Sequence, residues 1–135
     1  MQKTHTDREY EQQLRSLREM LLLMAGRVEQ MISDSIKALV NADVDLARRT
    51  IEADHKINRA ELGADELCLL ILAKRQPMAS DLRFITLALK MVTDLERIGD
   101  LAVNIAERAQ VLAEVPPLPF RPDVTRMAAI TKTML

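Results

Sequence analysis

Leu14, Leu17, Leu21, Met24, Val28, Met31, Ser35 and Ala38 follow one another at alternating steps of three and four. At 3.6 residues per turn, positions spaced this way fall on one face, so the stretch is a long helix with one continuous seam. A single helix cannot bury such a seam and needs packing partners of similar length. Two later segments supply them. One carries Ala53, Ile57, Ala60, Ala64, Leu67 and Ile71 on one stripe. The other carries Phe84, Ala88, Met91, Leu95, Ile98, Ala102, Ile105, Ala109 and Leu112. Helices are expected over about 7–40, 43–74 and 80–113. Thr6-Asp7-Arg8-Glu9 has the pattern of a capping box, Asn41-Ala42-Asp43 ends the first helix and caps the second, Gln76-Pro77 breaks the second, and Ser80-Asp81 offers a cap for the third. Connections this short place consecutive helices antiparallel. The fold class is therefore all-α: an antiparallel three-helix bundle, spectrin-repeat-like, over residues 1–115. A Pro-rich linker follows at 116–123, and Asp123 caps a further helical start at 124–135. That start loosely echoes the first helix and reads as the beginning of a truncated second repeat.

Composition closes off other classes. The chain has 135 residues, with 19 basic and 20 acidic side chains. So balanced a charge gives no field for nucleic acid, and Tyr10, Phe84 and Phe120 offer no stacking platform. Glycine is scarce and no Asn-Gly hairpin signal occurs. Cys68 is the sole cysteine, which excludes an intrachain disulfide and points to a buried, inert thiol in a reducing, cytoplasmic setting. The polar N-terminus lacks a secretory pattern, and the apolar runs Met20–Gly26 and Leu67–Ala73 are too short to span a bilayer. At most a peripheral membrane association is expected.

The functional signal is a polar interruption in apolar stripes. Glu96 and Asp100 continue the line of Leu82, Ile85, Leu89 and Val92. Asp54 and Asn58 interrupt the corresponding line on the second helix, and Asp54 with Asp100, and Asn58 with Glu96, are placed symmetrically about Pro77. In an antiparallel hairpin these four oxygen-bearing side chains meet. Like charges four apart cost about 0.2–0.5 kcal/mol even on an exposed helix, and more when desolvated. A cation is the expected remedy, with Glu96, Asp100, Asp54 and Asn58 as metal ligands. All-oxygen donors favour Mg²⁺, Mn²⁺, Ca²⁺ or iron over a structural zinc site of Cys and His. Glu61 and Asp65 extend the polar stripe as possible outer ligands, whereas His55 lies about 100° around the helix from Asp54 and is poorly placed. Gly99, between the acids, marks either a close helix crossing or room for a ligand. Lys74, Arg75 and Arg83 gather at the hairpin turn, as complements of the helix dipole or as a docking patch for an acidic partner. No glycine-rich phosphate loop is present, so the motifs give no support to phosphate binding by the chain itself.

Ile51-Glu52-Ala53-Asp54-His55-Lys56-Ile57-Asn58, the run AKRQPMASDLR from Ala73 to Arg83, and LERIGDLA from Leu95 to Ala102 together resemble the PhoU family. The resemblance covers residues 8–113. It implies tandem three-helix bundles, each with an E/DxxxD motif, and iron or zinc clusters in the structures of some members. The motif falls here on Glu96 and Asp100, with Asp54 and Asn58 facing it, so a divalent or iron-type cofactor (Mg, Mn, Fe or Zn) is implied. The implied function is non-enzymatic: a regulatory adaptor and negative regulator of phosphate uptake and phosphate-starvation signalling. Its implied partners are the ATPase subunit of the phosphate ABC transporter and a sensor histidine kinase. Two alternatives stand beside it. One is a carboxylate di-metal bundle with a redox or metal-storage role, disfavoured because such bundles carry a Glu-x-x-His motif on each of two helices and only Glu52-Ala53-Asp54-His55 matches it here; the other is a purely structural helical interaction domain. Homo-oligomer formation is also expected, because Met127, Ile130, Met134 and Leu135 cannot all be buried within one bundle.

Overall fold

A computed structural model describes residues 5–117 and 123–135. Among them all regular structure is helical: α1 (His5–Asn41), α2 (Val44–Arg75), α3 (Ala79–Leu112) and α4 (Val124–Met134). The first three pack pairwise as an antiparallel bundle, and α4 lies against α1.

The α1 seam is buried as its spacing demands. Leu17, Leu21, Met24, Val28, Met31, Ser35 and Ala38 are all enclosed, and Leu14 is half-buried. Ser35 is accommodated because its hydroxyl donates to the Ile32 carbonyl at 3.0 Å. Ile57, Ala64, Cys68 and Ile71 from α2 complete this core with Ile85, Ala88, Val92, Leu95 and Ala102 from α3. Each large aliphatic side chain among them contributes about 1.5–3 kcal/mol by leaving water. A second, smaller cluster of Ala38, Ala47, Ala106 and Ala109 closes the end where α1 turns into α2.

The buried line of α3 differs from the expected stripe. It follows Ile85, Ala88, Val92, Leu95, Gly99, Ala102, Ala106 and Ala109, leaving Met91 41 % and Leu112 47 % exposed. α3 contacts both α1 and α2, and its buried line is turned by one position, with Ile85, Val92, Gly99 and Ala106 inward in place of Phe84, Met91, Ile98 and Ile105.

The two connections differ in chemistry. Between α1 and α2, Ala42 adopts a left-handed backbone (φ 52°) and the Asp43 amide bonds the Ala38 carbonyl at 2.9 Å, a Schellman-type close. The Asp43 carboxylate then accepts the Leu46 amide at 3.0 Å and opens α2. Between α2 and α3, Gln76 is left-handed (φ 45°) and Pro77 prevents continuation. The expected Ser80-Asp81 cap is not used. Met78 is the N-cap without a side-chain bond, and its carbonyl takes the amides of Asp81 and Leu82 at 2.8 and 3.0 Å, starting the helix earlier. Asp81 instead accepts the Tyr10 hydroxyl at 2.9 Å. Thr6 likewise falls inside α1, which already includes His5.

That end of the bundle is latched further. Arg75 pairs with Glu9 at 3.0 Å and donates to Gln13 at 3.3 Å, and Arg18 lies 5.7 Å over the Phe84 ring. At α4, the Asp123 carboxylate caps the Arg126 amide at 3.1 Å, as expected from sequence. Ala128 is buried, and Lys132 donates to Ser33 of α1 at 2.9 Å. Residues 118–122 of the expected linker lie outside the described residues.

Candidate functional site

The acidic residues line the flank of the α2–α3 contact. Asp54 is half-buried beside the core residue Ile57, and its Oδ1 is shut off from solvent without a hydrogen-bond partner. A buried carboxylate oxygen left unpaired is costly. Its Oδ2 accepts a long bond from the Asn58 amide at 3.5 Å. Gly99 approaches from α3: a methyl placed there would meet Ile57 Cγ2 at 3.7 Å, Asp54 Oδ1 at 3.8 Å and Val28 Cγ2 at 3.9 Å. Those are ordinary contacts, so the glycine keeps a methyl-sized space open beside the unpaired oxygen.

The electrostatics join the two helices into one unit. Burial raises the Asp54 carboxyl above its ordinary pKa, and the Asp100 charge raises it further; the Asn58 bond and the His55 charge act weakly the other way. Glu61 is raised by burial, then by Asp65 and Asp100. Glu96 is raised by burial, then by Glu61 and Asp100, by a hydrogen bond it can donate to Asp100 when protonated, and by Asp54. Cys68, next along this flank, is pushed up to about 11 by burial and by Asp65. It is a protonated thiol at neutral pH, matching the inert cysteine expected from sequence.

The expected pairing is therefore realised in part. Asp54 and Asp100 do face each other, but the principal charge facing Glu96 is that of Glu61, and Asn58 is exposed. The helical turn explains the exchange. From Asp54, four residues advance about 400° and carry Asn58 some 40° toward solvent, while seven advance about 700° and return Glu61 to the core side. Mirror symmetry about the turn finds height, not azimuth. Glu61 belongs with the central residues rather than outside them. Its signal was the seven-residue step, the same step that defines the apolar seams.

Among the described residues, no three His, Cys, Asp or Glu side chains converge as a ready-made metal site. The donor chemistry nevertheless fits a hard cation: four carboxylates, mutually repelling, with one buried oxygen unsatisfied. His55 is exposed on the neighbouring flank. Of the expected docking patch, Arg75 is consumed by Glu9 and Gln13 and its side chain is only 13 % exposed, which corrects its assignment to a docking role. Lys74 and Arg83 remain exposed, with Arg83 weakly bonded to the Ala79 carbonyl.

Comparison with known proteins agrees with this architecture. A family model described as the PhoU domain matches residues 21–109. The phosphate-specific transport system accessory protein PhoU of Escherichia coli K12 is 46 % identical over 105 residues, covering 78 % of this chain and 44 % of that protein. Its counterpart from Edwardsiella tarda is also 46 % identical, over 78 % of this chain and 43 % of its own length. The homologue from Aquifex aeolicus is 40 % identical over 123 residues, covering 91 % of this chain and 56 % of its own. The crystal structure of PhoU from Pseudomonas aeruginosa superposes with a TM-score of 0.88 at 42 % identity, over 93 % of this chain and 60 % of that one. The chain thus spans about half the length of the relatives it matches. With the three sequence motifs, the helical bundle and the matched domain all in agreement, this chain belongs to the PhoU family.

Proposed function

We propose that this chain is a regulatory adaptor of phosphate uptake that damps transport and phosphate-starvation signalling. Its partners would be the ATPase subunit of a phosphate ABC transporter and a sensor histidine kinase. The observation that carries this is the PhoU-domain match over residues 21–109, to relatives whose names assign them to the phosphate-specific transport system.

The acidic flank is proposed to bind a divalent or iron-type cation. Asp54, Glu96 and Asp100 would hold it, with Glu61 beside them and the Asn58 amide completing the set. Its positive charge would remove their repulsion and satisfy Asp54 Oδ1. Asp54 and Glu61 belong to α2, Glu96 and Asp100 to α3, so a common ligand fixes the two helices in one register. The surface presented to partners, including exposed Lys74 and Arg83, is thereby held in one shape.

The test is complementation in bacteria lacking their own PhoU. Expression of this chain should restore repression of a phosphate-starvation reporter, and Glu96→Gln/Asp100→Asn should fail to do so while remaining folded. Full derepression with the wild-type chain would reject the adaptor role for this length of protein. Normal repression by the double variant would reject the acidic site as part of that role.

A further inference from the structure

On the flank of α2 turned away from the carboxylates, a groove runs between α1 and α2. Lys56 lies about 200° and Arg59 about 140° around the helix from Asp54. One hollow of this groove, about 330 Å³, is lined by Arg27, Lys56, Arg59 and Ala60. An adjoining hollow of about 160 Å³ shares Arg27 and Lys56 and adds Gln30, Met31, Asp34, Thr50 and Ala53. Three cations thus line the first hollow with no acid among them. Among the described residues none of the three is in an ion pair or donates a hydrogen bond. The Arg27 side chain is half-buried rather than extended into solvent.

We infer that this groove binds the phosphate group of a small, soluble phosphate monoester, such as a sugar phosphate or a nucleoside monophosphate. A dianion matches three cations lining one hollow better than a monocarboxylate does, and the arginine forks suit phosphate oxygens. The space exceeds what a bare ion needs and lies at the lower end of small-ligand pockets, roughly 300–1,000 Å³. The second hollow fits the body of such a ligand. Met31 and Ala53 give it an apolar floor, while Thr50 and the Asp34 carboxylate, already accepting from Gln30 at 2.9 Å, offer acceptors for hydroxyl or amino groups. Arg27 and Lys56 line both hollows, Arg59 only the first and Asp34 only the second. Side-chain cations here take the place of the glycine-rich loop the chain lacks. The inference is independent of the cation proposed on the opposite flank.

Isothermal titration with glucose 6-phosphate and AMP, in EDTA so that no metal takes part, tests it. Glucose and adenosine serve as uncharged controls, and vesicles rich in phosphatidic acid present the same phosphate chemistry on a lipid. One-site binding of a phosphate ester without binding of its uncharged parent is expected. Lys56→Gln and Arg27→Gln should each weaken it at least tenfold, while Arg108→Gln, an equal loss of charge on α3 outside the groove, should leave it unchanged. If Arg27→Gln also lowers the melting temperature, exposed Lys56 alone carries the comparison. No binding of either ester, equal loss in Arg108→Gln, or vesicle binding that AMP does not displace would each overturn the assignment.

Discussion

The contact between α2 and α3 is built in two ways along its length. Near the Gln76–Met78 turn it is closed by carbon and sulfur: Cys68, Ile71, Ile85, Ala88 and Val92 are all buried. Farther from the turn, Ile57, Leu95 and Gly99 keep the core continuous, but the flank carries Asp54, Glu61 and Glu96 with raised proton affinities and the Asp100 charge beside them. The same helices, with the same spacing, thus have one half whose stability comes from burial and another that sets burial against repulsion. The first half specifies the fold. The second is where an added ligand can change the energy without changing the topology.

The largest test of this contrast is in the apolar half. Ile71→Ala should cost about 2–5 kcal/mol in urea unfolding, whereas Asp100→Asn in the polar half should be neutral or stabilising in metal-free protein. A loss in Asp100→Asn comparable with that in Ile71→Ala would erase the distinction. Next, a cation accepted by the acidic flank should stabilise the fold by about 2.7 kcal/mol at a hundredfold excess over its Kd. Differential scanning calorimetry with Mg²⁺, Mn²⁺, anaerobic Fe²⁺ and Zn²⁺ reads this. Glu96→Gln/Asp100→Asn should abolish the shift, and a wild-type melt unmoved by all four ions would leave the flank without its proposed ligand.

A smaller effect separates space from propensity. Gly99→Ala should stabilise the metal-free chain by up to about 1 kcal/mol, since the methyl fits and a mid-helix glycine is unfavourable. The same methyl fills the space beside Asp54 Oδ1 that a bound ion would use, so the metal-induced shift should shrink; an undiminished shift would place the ion away from Gly99. The smallest effect is the repulsion itself. Glu96→Gln should raise metal-free stability by about 0.2–0.5 kcal/mol at neutral pH. Because Asp54, Glu61 and Glu96 bind protons more readily folded than unfolded, their contribution favours the fold at low pH and is lost as pH rises through their raised values. Metal-free protein should therefore melt higher as pH falls from neutral toward the ordinary carboxylate range, and Glu96→Gln should flatten that slope. An unchanged slope would detach Glu96 from the cluster.

Much of this was legible in the residues. The three-and-four stepping of α1 names its buried seam, and Asp43 and Asp123 cap as their positions imply. Bulk favours Met91 and Leu112 for the core, whereas the structure buries Gly99 and Ala106, whose small size carries little hydrophobic signal. The partner of Arg75, Glu9, lies on α1, too distant in sequence for spacing rules to connect them. Symmetry about the turn ignores rotation around the helix, and it is that rotation which brings Glu61 inward. Local chemistry is written in the chain; which neighbour a side chain meets depends on how three helices close together.

The latch at Arg75 and the joint at Asp43 have a mechanical consequence for α2. One end is tied to α1 through Glu9 and Gln13, and the other is capped within two residues of α1 itself. α2 is therefore a beam held at both ends, unable to swing as a lever. Asp54 and Glu61 lie between these two ties, so a ligand held there meets a helix whose ends are already fixed.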